Sequence, residues 1–149
     1  MSRLIQATCV AIGGRGVLIQ GPPGSGKSSM ALSLIDRGAV LVGDDGVSIE
    51  AQGGVLLASP PPRITGLIEV RNVGLLTRPV SSLVPVALAL RLDPAAQRMP
   101  ESAETLTIEG INLPCLALCP DSPVLALRAE AALERWGLLF AAEQVHIGT

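Results

Sequence analysis

The chain has 149 residues, 48% of them hydrophobic and 16% charged, a globular composition that excludes a disordered tract. A net charge of −2 supplies no broad basic field, and with no Tyr, one Phe and one Trp there is no platform for stacked bases, so no nucleic acid is expected as a partner. Nothing approaches the about 20 uninterrupted apolar residues of a membrane span, since Leu83 to Leu90 is short and holds Pro85.

In chain order, MSRLIQATCVAIGG sets Arg3 before an apolar run, which resembles a secretion signal until Gln6 and Thr8 interrupt it. Residues 3–12 and 16–20 read better as two strands around Gly13-Gly-Arg-Gly16. A glycine-rich loop follows. Ser28 to Arg37 is then helical, with Met30, Ala31, Leu34 and Ile35 on one face and Gly38 as its stop. Ala39 to Gly43 is a short strand ending in Asp44-Asp45, and 47–50 pairs with 55–58 around Ala51-Gln-Gly-Gly54. Pro60-Pro-Pro62 breaks regular structure and hands over to the segment 64–74. Val84 to Leu92 is a central strand despite Pro85. Asp93 to Thr105 is an exposed loop, and Leu106 to Leu118 is a hairpin turning at Glu109-Gly-Ile-Asn112. Asp121-Ser122-Pro123 offers a cap and a first-turn proline for a last helix running to about Ala142. Many strands with two main helices imply an α/β fold on a mixed sheet, in one domain spanning 1–149.

Cys9, Cys115 and Cys119 are an odd number without CxxC spacing, and they read as reduced thiols of a cytoplasmic protein. A zinc site would need Cys115, Cys119, the lone His146 and one more ligand, and is not favoured.

The chemistry starts at GPPGSGKS, the residues Gly21, Pro22, Pro23, Gly24, Ser25, Gly26, Lys27 and Ser28. GxxxxGK[ST] is a phosphate-binding loop, whose glycines let backbone N–H groups turn inward around an anion. A strand precedes it and a helix follows, as such a loop requires. Lys27 reaches the outer phosphates, the Ser28 hydroxyl suits Mg²⁺, and Ser29 completes the nucleotide-binding set at the positive helix end.

Asp44 and Asp45 return to the same end of the sheet. Two adjacent acids so soon after the loop suggest a division of labour, one orienting metal-bound water and the other accepting a proton from an attacking hydroxyl. On an extended strand they would point to opposite faces, so only one faces the phosphates unless the chain turns there. Otherwise Asp-Asp-Gly is simply a polar strand end opening a turn. Glu69 and Arg71 share a face if extended. Glu69 could bind metal and Arg71 could balance phosphate charge, or the two could form a salt bridge on a strand edge.

These pieces in this order resemble the catalytic domain of HPr kinase/phosphorylase, a bacterial protein kinase family. The matches are the strand around Ala7-Thr8, GPPGSGKS, Leu41-Val-Gly-Asp-Asp45 and Gly66-Leu-Ile-Glu-Val-Arg71, closely covering about residues 5–75. The resemblance implies a P-loop fold related to phosphoenolpyruvate carboxykinase, with ATP and Mg²⁺ as cofactors. The acceptor it implies is a seryl hydroxyl on the phosphocarrier HPr, and the assembly a homo-oligomer, a hexamer. It assigns Lys27 and Ser28 to phosphate and metal, Asp44 to acid/base work, Asp45 to its support, Glu69 to metal, and Arg71 to the signature. The chain is most similar to the short form ascribed to alphaproteobacteria, the catalytic domain alone. It departs from the pattern at Gln6, where the family has His, at Asn72, where it has Gly, and at Cys119-Pro-Asp-Ser-Pro123, where longer members carry an Arg tied to phosphorolysis. A kinase with weak or absent phosphorolysis is expected. The other readings are a kinase acting on a small-molecule hydroxyl, and a nucleotide sensor that transfers nothing.

Overall fold

The computed structural model describes residues 2–140. Its eleven strands, among the described residues, are β1 (Arg3–Ile5), β2 (Thr8–Ile12), β3 (Arg15–Gln20), β4 (Val40–Gly43), β5 (Val47–Gln52), β6 (Val55–Ser59), β7 (Leu67–Val70), β8 (Gly74–Thr77), β9 (Val84–Leu92), β10 (Glu104–Ile108) and β11 (Ile111–Leu118). Helix α1 (Lys27–Asp36) follows β3, and α2 (Leu125–Trp136) follows β11. The fold is α/β on a mixed sheet with two helices, as the element pattern implied.

The main sheet runs β1-β5-β6-β9-β3-β2-β4 and branches at β9, which also takes β11 as a parallel neighbour, with β10 antiparallel outside it. Strand β9 is therefore central: Val84 and Pro85 pair with β6, while residues 89–92 pair with β11 on the same edge and β3 fills the other. Pro85 is tolerated because it sits at the start of the strand, where the β6 pairing is only two residues long. Alternation along the strands feeds two cores. Val10, Val17, Ile19, Leu88, Leu90 and Leu116 face α1 and α2, whose Met30, Leu34, Ala129 and Leu133 complete that layer. Cys9, Leu18, Ala89 and Leu113 face the other way and meet Ile49 and Leu56 of β5 and β6. Val42 of β4 joins this second core, so the two ends of the strand path curl toward each other.

Three short turns follow from glycine. Gly13 and Gly14 (φ 57° and 84°) join β2 to β3, and Gly53 and Gly54 (φ 61° and 79°) join β5 to β6, the two-residue geometry that matches strand twist. Glu109 and Gly110 make the third, with Glu109 at φ 50°.

Several boundaries differ from expectation. The strand read over 3–12 is broken at Gln6-Ala7 because the chain changes partners there: β1 pairs with β5, whereas β2 pairs with β3 and β4. The last helix begins at Leu125 with Val124 as its uncapped boundary. The Ser122 hydroxyl instead accepts the Val124 amide at 3.2 Å. This helix ends at Trp136 and not near Ala142, which lies outside the described residues with His146. The physical reason is tertiary. Leu138 donates its amide to the Ala87 carbonyl of β9 at 2.9 Å and accepts from Arg15 Nη1 at 3.1 Å, which draws the chain off the helix axis. Finally, β7 and β8 form a separate two-stranded sheet, whose second strand was not anticipated.

Candidate functional site

Strand β3 delivers the chain into the Gly21–Gly26 loop, which must coil tightly before α1. Gly24 (φ 79°) and Gly26 (φ 101°) take conformations that side chains resist. At Gly21 a Cβ would lie 2.6 Å from Ser25 Oγ. The turn is held by the Ser25 amide donating to the Pro22 carbonyl at 3.1 Å. Gly26 caps α1 with no side-chain hydrogen bond, so its first turn, whose Lys27, Ser28 and Ser29 line the cleft, has no side-chain cap there, and the helix dipole adds positive potential. Lys27 Nζ donates to the Gly21 carbonyl at 2.7 Å, stretching the ammonium back across the loop.

The aspartates arrive from β4, two strands away across β2. The chain does turn there: Asp45 sits at φ 57°, so strict strand alternation is broken and both acids line the same cleft. Asp44 Oδ1 accepts from the Ser28 hydroxyl at 2.7 Å and from the Thr8 hydroxyl at 3.1 Å. Asp44 Oδ2 accepts from the Glu69 amide at 3.0 Å, which fastens β7 to the end of β4. Ile68 is fully buried under β7, so Glu69 and Arg71 are turned outward on the same face and border the cleft. Neither forms an ion pair among the described residues, unlike the strand-edge salt bridge that was the competing reading.

The resulting cleft has a volume of about 400 Å³, within the range of small-ligand sites. It brings together Gly21, Pro23, Gly24, Gly26, Lys27, Ser28 and Ser29 from the loop and helix with Asp44, Asp45, Glu69 and Arg71. Pro22 and Ser25 do not line it; the Ser25 hydroxyl is buried beneath the loop, without a hydrogen-bond partner among the described residues. Gln6 borders the cleft as well. Thr8 is the residue whose part in the site went unread. The available signal was a polar side chain inside the apolar strand TCVAI, and it is the one polar residue among the buried set of the described residues.

The donors suit a small hard cation. Mg²⁺ is held through one or two carboxylates plus phosphate oxygens and water, not through an all-protein cage. No cluster of three His, Cys, Asp or Glu exists among the described residues; the Ser28 hydroxyl and the Asp44 carboxylate meet at one end of the loop, and Glu69, which touches Asp44 through its backbone amide, borders the same cleft.

Residues 1–82 match the HPr serine kinase C-terminal domain model. The chain is 34% identical over 123 residues to an HPr kinase/phosphorylase of Streptococcus thermophilus, covering 74% of this chain and 40% of the relative. It is 48% identical over 73 residues to that of Brevibacillus brevis, covering 48% of this chain and 24% of the relative. The chain thus spans well under half the length of these curated relatives. Among solved structures, the HPr(Ser) kinase/phosphatase from Coxiella burnetii superposes with a TM-score of 0.77 at 29% identity, covering 89% of this chain and 94% of that one. With a family model spanning more than half of its residues and the same fold in a solved relative, the chain belongs to the HPr serine kinase C-terminal domain family.

Proposed function

We propose that the chain is an ATP-dependent serine protein kinase that phosphorylates an HPr-type phosphocarrier protein in the cytoplasm. The observation that carries this reading is the Asp44 carboxylate, 2.7 Å from the Ser28 hydroxyl at the head of the phosphate-loop helix. A carboxylate there stands beside the outermost phosphate of a nucleotide cradled by the loop, within reach of an incoming hydroxyl. In the transfer, the seryl oxygen forms a bond to the γ-phosphorus as the bond from phosphorus to the β,γ-bridging oxygen breaks. The seryl proton passes to Asp44, and ADP leaves. Lys27 and Arg71 offset the charge on the phosphoryl oxygens, and Asp45 supports its neighbour. Ser28 and Glu69 would hold Mg²⁺, which when bound neutralises phosphate charge.

Phosphorolysis is proposed to be weak or absent, because the segment 119–123 leading into α2 carries no arginine. The free thiols of Cys9, Cys115 and Cys119 support a reducing compartment. By family likeness the working form is a homo-oligomer, a hexamer.

Labelled ATP, Mg²⁺ and HPr test these statements together. Label is expected on an HPr serine, and added phosphate should return little of it. Label on a metabolite instead would favour a small-molecule kinase. Tight ATP binding without transfer would favour a sensor. Rapid phosphate-dependent dephosphorylation would refute the proposed loss of the reverse reaction.

A further inference from the structure

Thr8 lies on β2 opposite Ile19, between Ala7 and Cys9, and is 0% exposed. A hydroxyl has one proton to give and two lone pairs to share. Here the proton goes to Asp44 Oδ1 at 3.1 Å, and a lone pair takes the Asp45 amide at 3.2 Å. One side chain therefore ties both acids. It fixes the Asp44 carboxylate directly, and it supplies the acceptor for an amide whose residue is held at φ 57°, a conformation that an aspartate adopts only at some cost.

The bonds also distinguish the two carboxylate oxygens. Among the described residues, Oδ1 accepts from both Thr8 and Ser28, whereas Oδ2 accepts from the Glu69 amide alone. With about two acceptor sites per oxygen, Oδ1 is filled and Oδ2 keeps one free. We infer that Thr8 is a positioning residue for Asp44: its hydroxyl fills the second acceptor site of Oδ1 and pins the turn at Asp45, so that the Asp44 carboxylate is held in one orientation at the cleft. This inference rests on the kinase reading above.

Thr8→Val keeps the shape and removes the hydroxyl, taking one of its two donors from the part-buried Asp44 Oδ1 and the acceptor from the Asp45 amide. It is expected to lower kcat for HPr phosphorylation by about tenfold or more while KM for ATP stays within about twofold. Amide hydrogen exchange at Asp45 should accelerate by about tenfold. Thr8→Ser, which restores the hydroxyl, should recover both readouts. Should Thr8→Val not fold, Thr8→Ala carries the same expectations. Faster exchange at Asp45 with kcat unchanged would overturn the positioning role, and so would unchanged exchange. A wild-type chain that transfers nothing to HPr would remove the kinase reading itself, and this inference with it, before any variant is compared.

Discussion

Buried among apolar side chains on β2, the thiol of Cys9 keeps its proton far above the usual range. Burial pushes its pKa up from 9.0 to about 12, with a hydrogen bond to the Val17 backbone pulling slightly the other way. In the unfolded chain the same thiol ionises near its ordinary value. Between pH 9 and about 12 the native state therefore holds more protons than the unfolded one. The stability contributed by the neutral thiol is fully present below pH 9 and is lost as the pH rises toward 12. Urea unfolding across this window should show a decline on the order of a few kcal/mol, and Cys9→Ala should flatten that limb. An identical alkaline slope in both proteins would show that Cys9 ionises freely in the native state. Residue identity made the place of some side chains legible and hid that of others. Lys27 and Ser28 were readable because their spacing from the glycines dictates what they can touch. Thr8 was not, because its partners lie 36 and 37 positions along the chain and are met only when β2 pairs with β4.

At the scale of elements, the hairpin β7–β8 shows how a departure from a family pattern can be absorbed. Asn72 lies in its turn at φ 68°, the left-handed region that Gly occupies freely and Asn tolerates. The Val73 amide closes the same turn on the Val70 carbonyl at 3.0 Å. A branched side chain at 72 cannot take that conformation without strain. Asn72→Val is expected to cost about 1–2 kcal/mol in thermal unfolding, whereas Asn72→Gly should leave stability level or slightly higher. Equal melting temperatures for all three would show that the turn relaxes. Strands with alternating or continuous apolar residues and glycine-marked turns were legible, β9 included. The end of α2 was not. Gly137 in LERWGLLF is the stop signal, where a Cβ would lie 2.6 Å from the Leu133 carbonyl, but its weight was unreadable without the Arg15 and Ala87 contacts that claim the chain at Leu138. The second strand of the small sheet was equally silent, since Gly74–Thr77 leaves three of its four residues exposed.

Across the whole molecule, the site is a product of strand order. The phosphate loop leaves β3, the aspartates leave β4, and β2 runs antiparallel between them, so both open at the same end of the sheet. The small β7–β8 sheet then closes over that end through the Glu69 amide and Asp44. The sequence pattern carried the class of fold and pointed to the acids that border the cleft. It did not carry the curl that brings β4 toward β6, nor the turn at Asp45 that puts both carboxylates in one cleft, because each depends on contacts distant in the chain. The proposed action of Asp44 on the reacting hydroxyl is open to a direct test. Asp44→Asn keeps the side chain's size and an acceptor oxygen while removing the base. Phosphoryl transfer to HPr and ATP affinity, measured side by side on the wild-type protein and the Asp44→Asn variant, separate the two roles. Transfer is expected to fall by about 100- to 10,000-fold with affinity nearly unchanged; a variant that transfers at the wild-type rate would contradict the account.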